Sequence, residues 1–391
     1  MPGYCSTRAN LASTRAPGAP RIAWTTVLGS TLQPLEAVVD ATGRIYATAG
    51  PAPPLGQTAV IPQTIVAIDP GGAVAWTRTF EVRVSSLLLL GDGRLRLTLH
   101  YEDPSPRDPI GTGSPALVAV GADGSVASKN TLHGLMGSDF AVDAEGSLYS
   151  AVGDGLAPYL VAKMAVDGTI VWTSAPIRSY AAGISEVALT REGSVVVETG
   201  NHDTAPRSTL LELDPSGAVA WTRGFGGDFA AGPAVAPDGT IRVVTVTPGP
   251  ALELYAIDTT GEVVWRTEVG SEVWSCPVAI GPDGTTILRG SKAIYAVDVT
   301  GRLLWQRPMP MPSNCYAVID PWGSLVSLGG SNPSTIVGIE TKTGIQLWSV
   351  AAPSSQRDPQ GTPLELTGFA LGPSGSVVAL TGEGFTLLRD P

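Results

Sequence analysis

Cysteine and histidine are scarce in this chain, with three of each among 391 residues. No two cysteines are adjacent, and the histidines (His100, His133, His202) have unrelated spacing. No Ser-His-Asp arrangement or phosphate-cradling glycine loop stands in a supporting context, so the common signatures of covalent and nucleotide-dependent catalysis are missing. Charge is also sparse, at 15% of residues, and the basic share is the smaller one. Twenty-four Lys and Arg against 35 Asp and Glu leave a net charge of −11, whose field repels phosphate backbones and anionic lipid surfaces. Nucleic acid is not an expected partner. Apolar runs such as Leu87 to Leu90 fall far short of the roughly 20 residues that a membrane-spanning helix requires, so direct membrane insertion is not expected either. The first 20 residues carry two arginines but no apolar core of roughly 7–15 residues such as a secretory leader has. Either a leader was removed or the protein stays inside the cell. Residues 1–20 read as a disordered tail in which Cys5, after Pro2-Gly3-Tyr4, lacks the apolar residues that usually precede a lipidated cysteine.

Glycine and proline, by contrast, make up about a fifth of the chain, a share suited to many short strands joined by tight turns. Tryptophan supplies the period. Seven of the nine (Trp24, Trp76, Trp172, Trp221, Trp265, Trp305, Trp348) recur at a mean spacing of about 46 residues, with Ser128 in the one skipped slot. That spacing matches one four-stranded propeller blade per repeat. Each unit carries two turn signatures. The first joins two apolar runs through a turn ending in glycine, at Gly43, Gly93, Gly146, Gly193, Gly239, Gly284, Gly323 and Gly375. Glycine supplies the positive φ that short hairpin loops require. The second is Asp-x-x-Gly-x-x-x-Trp, complete at Asp69/Gly72/Trp76, Asp214/Gly217/Trp221, Asp258/Gly261/Trp265 and Asp298/Gly301/Trp305. Variants place Gly344 before Trp348, Gly168 before Trp172 and Gly124 before Ser128.

The order per unit is strand A, glycine turn, strand B, variable loop, strand C, Asp/Gly turn and strand D ending in Trp. Arg21-Ile22-Ala23-Trp24 is a D strand with no predecessor, and the last unit, ending in Leu387-Leu388-Arg389, stops before its D strand. The two ends are expected to share one blade. The sequence therefore predicts an all-β, eight-bladed β-propeller of four antiparallel strands per blade over residues 21–391, monomeric, with the N-terminal strand closing the ring as a 3+1 blade.

Ala-x-Asp-x-x-Gly followed by Trp resembles the tryptophan-docking motif of the pyrroloquinoline-quinone-type eight-bladed propellers. The resemblance covers nearly all of the chain, although most turns are one residue shorter than the family's usual form. It implies a girdle in which each Trp packs on the turn glycine and small alanine of a neighbouring blade. The matching residues are Ala67, Gly72 and Trp76; Ala256, Gly261 and Trp265; Ala296, Gly301 and Trp305. One branch of the family comprises quinoprotein dehydrogenases, with the quinone sandwiched between a Trp and an adjacent-cysteine disulfide, Ca²⁺ on carboxylate and amide ligands, and an Asp base. The other comprises non-catalytic BamB-like propellers that bind proteins. This chain has no adjacent-cysteine pair and no insertions beyond its blades. The resemblance thus implies a protein-binding scaffold of a bacterial envelope (periplasmic or outer-membrane-associated) or the extracellular space, with no cofactor. The alternative is an enzyme at the channel mouth, a degenerate quinoprotein dehydrogenase or a lyase with His100, His202 or Glu186 as acid or base.

In a propeller the B–C and D–A connections share one face, and functional residues concentrate in loops held by a rigid scaffold. The longest connections are residues 49–63, 99–115 and 351–367. A partner face is expected around the last, first and second blades, drawing on His100, Tyr101, Glu102, Asp103, Arg357 and Asp358, with His202, Asp203 and Trp274 on the same side. His202-Asp203 has the form of a metal ligand and its orienting carboxylate, with solvated loop residues as the plainer reading. Glu36, Asp139 and Glu186, near the starts of A strands, could give the channel an acidic lining able to hold Ca²⁺. Cys276 and Cys315 occupy equivalent positions in neighbouring blades. They pair as a disulfide if their Cα atoms come within about 7 Å, or stay as two buried thiols. Only Trp274 and Trp322 fall outside the girdle series.

Overall fold

The computed structural model describes residues 18–28, 33–50, 62–90, 93–101, 113–131, 140–152, 159–177, 184–200, 206–249, 251–270, 278–290, 292–309, 317–320, 322–329, 335–351, 368–381 and 384–390. These form an all-β propeller of eight four-stranded antiparallel sheets. In the first blade, strand A is Gln33–Val39, B is Ile45–Gly50, C is Gln63–Ile68 and D is Val74–Phe80. Strands B and C are buried along their whole length, whereas D alternates between exposed and half-buried residues. The inner strands are thus covered on both faces by neighbouring blades, and only the outermost meets water. Each junction between consecutive sheets has its own apolar core. The one joining the last sheet to the first blade includes Ala37, Ile45, Val66, Val378 and Phe385.

Seven blades, not eight, are complete units of the chain. They run in order through residues 33–80, 83–131, 140–173, 184–225, 228–270, 279–308 and 317–351. The remaining sheet is composite: Gly368–Gly372, Ser376–Thr381 and Gly384–Arg389 supply three strands, and Arg21–Val27 supplies the outer one. The expectation of an eight-bladed propeller is corrected to seven blades accordingly, because the closing 3+1 sheet has no C–D hairpin of its own. A substitute holds the seam: the Asp390 carboxylate accepts the Gly18 N–H at 3.0 Å and the Ala19 N–H at 2.8 Å, so ordered chain begins before Arg21.

Both turn types use one device. In the first blade Asp69 N donates to Ala73 O at 2.8 Å, Gly72 N donates to Asp69 O at 2.8 Å, and Gly72 takes a φ of 90°. The aspartates then clamp the turn. Asp214 Oδ1 accepts the Ser216 hydroxyl, the Ser216 N–H and the Ala218 N–H, and Asp258 does the same with Thr260 and Glu262. Hydrogen bonds from the Ser216 hydroxyl and Ala218 N–H hold the Asp214 carboxyl below its ordinary value, as those from the Thr260 hydroxyl and Glu262 N–H do for Asp258. Because these folded-state values lie below the unfolded one near about 3.9, the clamps add stability that is full above about pH 4 and is lost as pH falls through the depressed values. Glu212 has the opposite sign: burial raises its pKa, so protonation favours its folded state. The urea midpoint should therefore hold steady from about pH 7 to 5 and fall below about pH 4, more gently in Asp258→Asn; a decline already complete at pH 5 would count against the clamps.

The tryptophans form the girdle, with two exceptions. A Cβ on Gly72, Gly124, Gly217, Gly261, Gly301 or Gly344 would lie 2.7–2.9 Å from the indole of Trp24, Trp76, Trp172, Trp221, Trp265 or Trp305, respectively. Each indole comes from the preceding sheet. In five of the six, all but Trp172, its Nε1 donates to a turn carbonyl beside that glycine, as in Trp24 to Pro70 O (2.9 Å), Trp76 to Ala122 O (2.8 Å) and Trp265 to Val299 O (2.8 Å). Two residues after the Trp, a second donor reaches the glycine carbonyl itself: Arg78 to Gly124 O (2.7 Å), Arg223 to Gly261 O (2.7 Å) and Arg307 to Gly344 O (3.0 Å). The Trp stands near the start of strand D rather than at its end, just after a β-bulge, and pairs with Ala67, Ala256 or Ala296 on its own strand C. Hence the motif alanine belongs to the Trp's own blade, and only the glycine belongs to the next.

The exceptions lie at Trp348 and Ser128. The closing sheet offers Trp348 no C–D turn, and the ring turns inward over Gly338 of its own blade, joining the core with Phe369 and Val377. Glycine replaces the motif alanine there because a Cβ would sit 2.2 Å from the indole. Ser128 has no ring to offer the third blade.

Candidate interaction face

The strand directions give the ring two unlike faces. One carries the A–B and C–D turns, each a few residues long and closed by its own backbone hydrogen bonds. The other carries the B–C and D–A connections. The longest of these leave from strands Ile45–Gly50, Leu95–Tyr101 and Gln346–Ala351 and return at Gln63–Ile68, Gly113–Val120 and Gly368–Gly372. Those strands belong to the first blade, the second blade and the junction of the seventh blade with the closing sheet, which are consecutive around the ring. The loop-rich sector predicted from chain length is therefore a contiguous arc of one face.

Of the residues singled out for this face, His100 and Tyr101 are placed by their backbone at the loop end of strand B in the second blade, opposite Arg83 and Gly113 in register. Glu102, Asp103, His202, Asp203, Trp274, Arg357 and Asp358 lie outside the described residues, as do Cys276 and Cys315. Glu36 is described and has a specific task. Its Oε2 accepts the Leu87 N–H at 3.2 Å, tying strand A of the first blade to strand A of the second. Asp139 lies outside the described residues, and Glu186 is placed only by its backbone in strand Ile184–Leu189. Among the described residues no group of three or more His, Cys, Asp or Glu gathers in metal-binding geometry. Trp322 is 64% exposed on the A–B turn of the seventh blade, on the opposite face, where Asp320 Oδ1 accepts its N–H at 2.9 Å.

Three buried arginines were not anticipated. Arg96, Arg242 and Arg289 stand on B strands at 3%, 0% and 2% exposure. Arg242 faces the next junction: its Nε donates to Thr286 Oγ1 at 3.2 Å, and its guanidinium lies 4.9 Å from the Trp265 ring centroid. Burial lowers its pKa, with Asp238 opposing. Arg289 ends strand B of the sixth blade, at the loop face. Burial pushes its pKa down to about 10, so it remains a cation at neutral pH beneath that face. The signal in the sequence was an Arg within an apolar strand, as in Leu95-Arg96-Leu97 and Ile241-Arg242-Val243.

A family model described as the outer membrane protein assembly factor BamB matches residues 206–386, somewhat under half of the chain. Over that stretch the chain is similar to the pyrroloquinoline-quinone-like (PQQ-like) β-propellers, and the docked girdle is consistent with that likeness. Among solved structures, BamB from Moraxella catarrhalis aligns with a TM-score of 0.60 at 15% identity, over 95% of this propeller and 100% of that chain. Quinohemoprotein alcohol dehydrogenase from Comamonas testosteroni aligns with a TM-score of 0.63 at 11% identity, over 98% and 78%. A virginiamycin B lyase from Staphylococcus aureus, solved with quinupristin, aligns with a TM-score of 0.53 at 12% identity, over 95% and 100%. At these identities the likeness is one of fold. No curated protein matches the propeller by sequence.

Proposed function

We propose that the propeller is a non-catalytic scaffold that binds a protein partner through the arc of long connections on its loop face, in a bacterial envelope or outside the cell. The observation that carries this reading is the asymmetry of the two faces. The turn face is short and internally hydrogen-bonded, whereas the chain's spare length and its cluster of mixed polar and aromatic residues leave from three consecutive sheets on the other. Rigid rings with variable loops support recognition by aromatic anchors in a polar surround. The BamB description of the matching family model supports the same compartment and role.

The enzymes that share the fold support a second reading, catalysis at the channel mouth. For a quinoprotein site the residues present do not fit: the three cysteines stand at positions 5, 276 and 315, so the adjacent-cysteine pair of that branch has no counterpart. Fold alone does not choose between binding and turnover.

A photoreactive benzoyl-phenylalanine placed at Tyr101 or Arg357 should give a discrete higher-mass adduct in cells, while the same group at Thr42 or Ser216 on the turn face should give none. Adducts from the turn face alone, or no adduct at any position beside turnover of a small molecule, would reject the proposal.

A further inference from the structure

The seam that closes the ring reverses a charge. In five blades strand C pairs its last apolar residue with the second residue after the A–B glycine, and an acid follows at once: Asp69, Asp214, Asp258, Asp298 and Glu340. The closing sheet keeps that register, with Leu388 opposite Val377, yet the next residue is Arg389. Arg21, which begins the outer strand, lies directly opposite Arg389. Cross-strand partners project from the same face of a sheet, and like charges so placed repel. Both arginines are exposed, and among the described residues neither side chain makes a hydrogen bond or ion pair.

Arg389 also lines a cavity. About 430 Å³ of space opens on the turn face between the closing sheet and the first blade, with Pro70, Pro373 and Leu387 as its apolar walls. Three other polar side chains line it and are already committed. The Thr42 hydroxyl donates to Asp40 Oδ1 at 2.6 Å, the Ser376 hydroxyl donates to Pro373 O at 3.0 Å, and the Asp390 carboxylate accepts the Gly18 and Ala19 N–H groups. The side-chain donor left for an occupant is therefore a guanidinium, with a second one across the strand pair.

We infer that this seam cavity binds a small organic acid, its carboxylate held by Arg389 and Arg21 and its apolar body against Pro70, Pro373 and Leu387. A guanidinium fork matches the two oxygens of a carboxylate, so the ligand replaces a repulsion between cations with two attractions. The volume lies within the range of small-molecule pockets, and the apolar walls favour an organic body over a bare inorganic anion. Asp390, a neighbouring negative charge, favours a monocarboxylate over a phosphate dianion. The site is on the turn face and does not rest on the loop-face reading.

The probe is phenylacetate, followed by saturation-transfer NMR against the full chain. A saturable signal is expected with a Kd on the order of 1 mM, as suits a ligand of about ten non-hydrogen atoms. Phenylacetamide, of the same shape without the charge, should bind at least tenfold more weakly. Arg21→Gln should weaken phenylacetate binding at least fivefold. Arg389→Asp, which restores the acid found in five blades and sets it opposite Arg21, should abolish binding while holding or raising Tm, so the loss is not one of fold. Arg302→Gln, on the rim of the sixth blade, should leave binding unchanged. No saturable signal with the wild type, equal binding of acid and amide, undiminished binding in Arg21→Gln or Arg389→Asp, or an equal loss in Arg302→Gln would overturn the inference, whatever the loop face proves to bind.

Discussion

Trp265→Ala is expected to destabilise the protein by about 3–5 kcal/mol and lower Tm by roughly 5–10 °C. Three losses combine. The ring covers Gly301 so closely that a Cβ there would lie 2.7 Å from it, so truncation opens a void at the junction of the fifth and sixth blades. The Val299 carbonyl loses its Nε1 donor. Arg242, fully buried, loses the aromatic face over its guanidinium and keeps Thr286, Thr240 and a distant Asp238 carboxylate at 4.0 Å. A cation so placed is costly to leave without a partner. Trp265→Phe should recover part of the loss, keeping the packing but not the hydrogen bond. Trp322→Ala is the internal control, since its ring is 64% exposed and its change should stay within about 0.5 kcal/mol. Thermal denaturation of the three variants side by side separates docking from mere loss of an indole; equal effects at Trp265 and Trp322 would contradict it.

Much of this architecture was legible in the sequence because each turn repeats a local constraint. Gly72 and its counterparts must adopt positive φ, and the aspartates must clamp the following N–H groups, so the residue types recur wherever the geometry does. The pairing of the N-terminal strand with the last one followed from the same repeat, because an unpaired D strand and a unit lacking one leave a single way to close. What the repeat left open was which neighbouring blade receives each ring. Trp76 and Gly72 stand four residues apart in the motif, yet Trp76 docks on Gly124 and Gly72 receives Trp24. The inward turn of Trp348 was likewise hidden, since it depends on the absence of a turn in the next sheet and on Gly338 at a position that alanine fills in four of the other sheets.

The buried arginines escaped notice for a different reason. Alternation along a strand ordinarily sends every second residue to water, so Arg96 and Arg242 read as surface residues. In a propeller both faces of strand B meet neighbouring blades, and these arginines point into a junction instead. The candidate face was less legible than the fold. Chain length located it, since long connections must leave from the strand ends that bound them, but loop residues such as His202 and Arg357 carry no repeated constraint that would assign them a role.

The account rests most heavily on the two ends of the chain sharing one sheet. Thr25 and Thr386 face each other in that sheet, 361 positions apart in sequence, with their Oγ1 atoms 3.2 Å apart. Nothing but ring closure brings them together. In a background with Cys5, Cys276 and Cys315 changed to serine, the pair Thr25→Cys and Thr386→Cys should form an intramolecular disulfide on mild oxidation. Closing so long a loop is worth about 6 kcal/mol in the chain-entropy model. Non-reducing electrophoresis should show a monomer of altered mobility that reverts on reduction, with a higher Tm in the oxidised form. Free thiols that resist oxidation in the folded protein, or disulfide-linked dimers in place of the closed monomer, would contradict closure of the ring by its own ends.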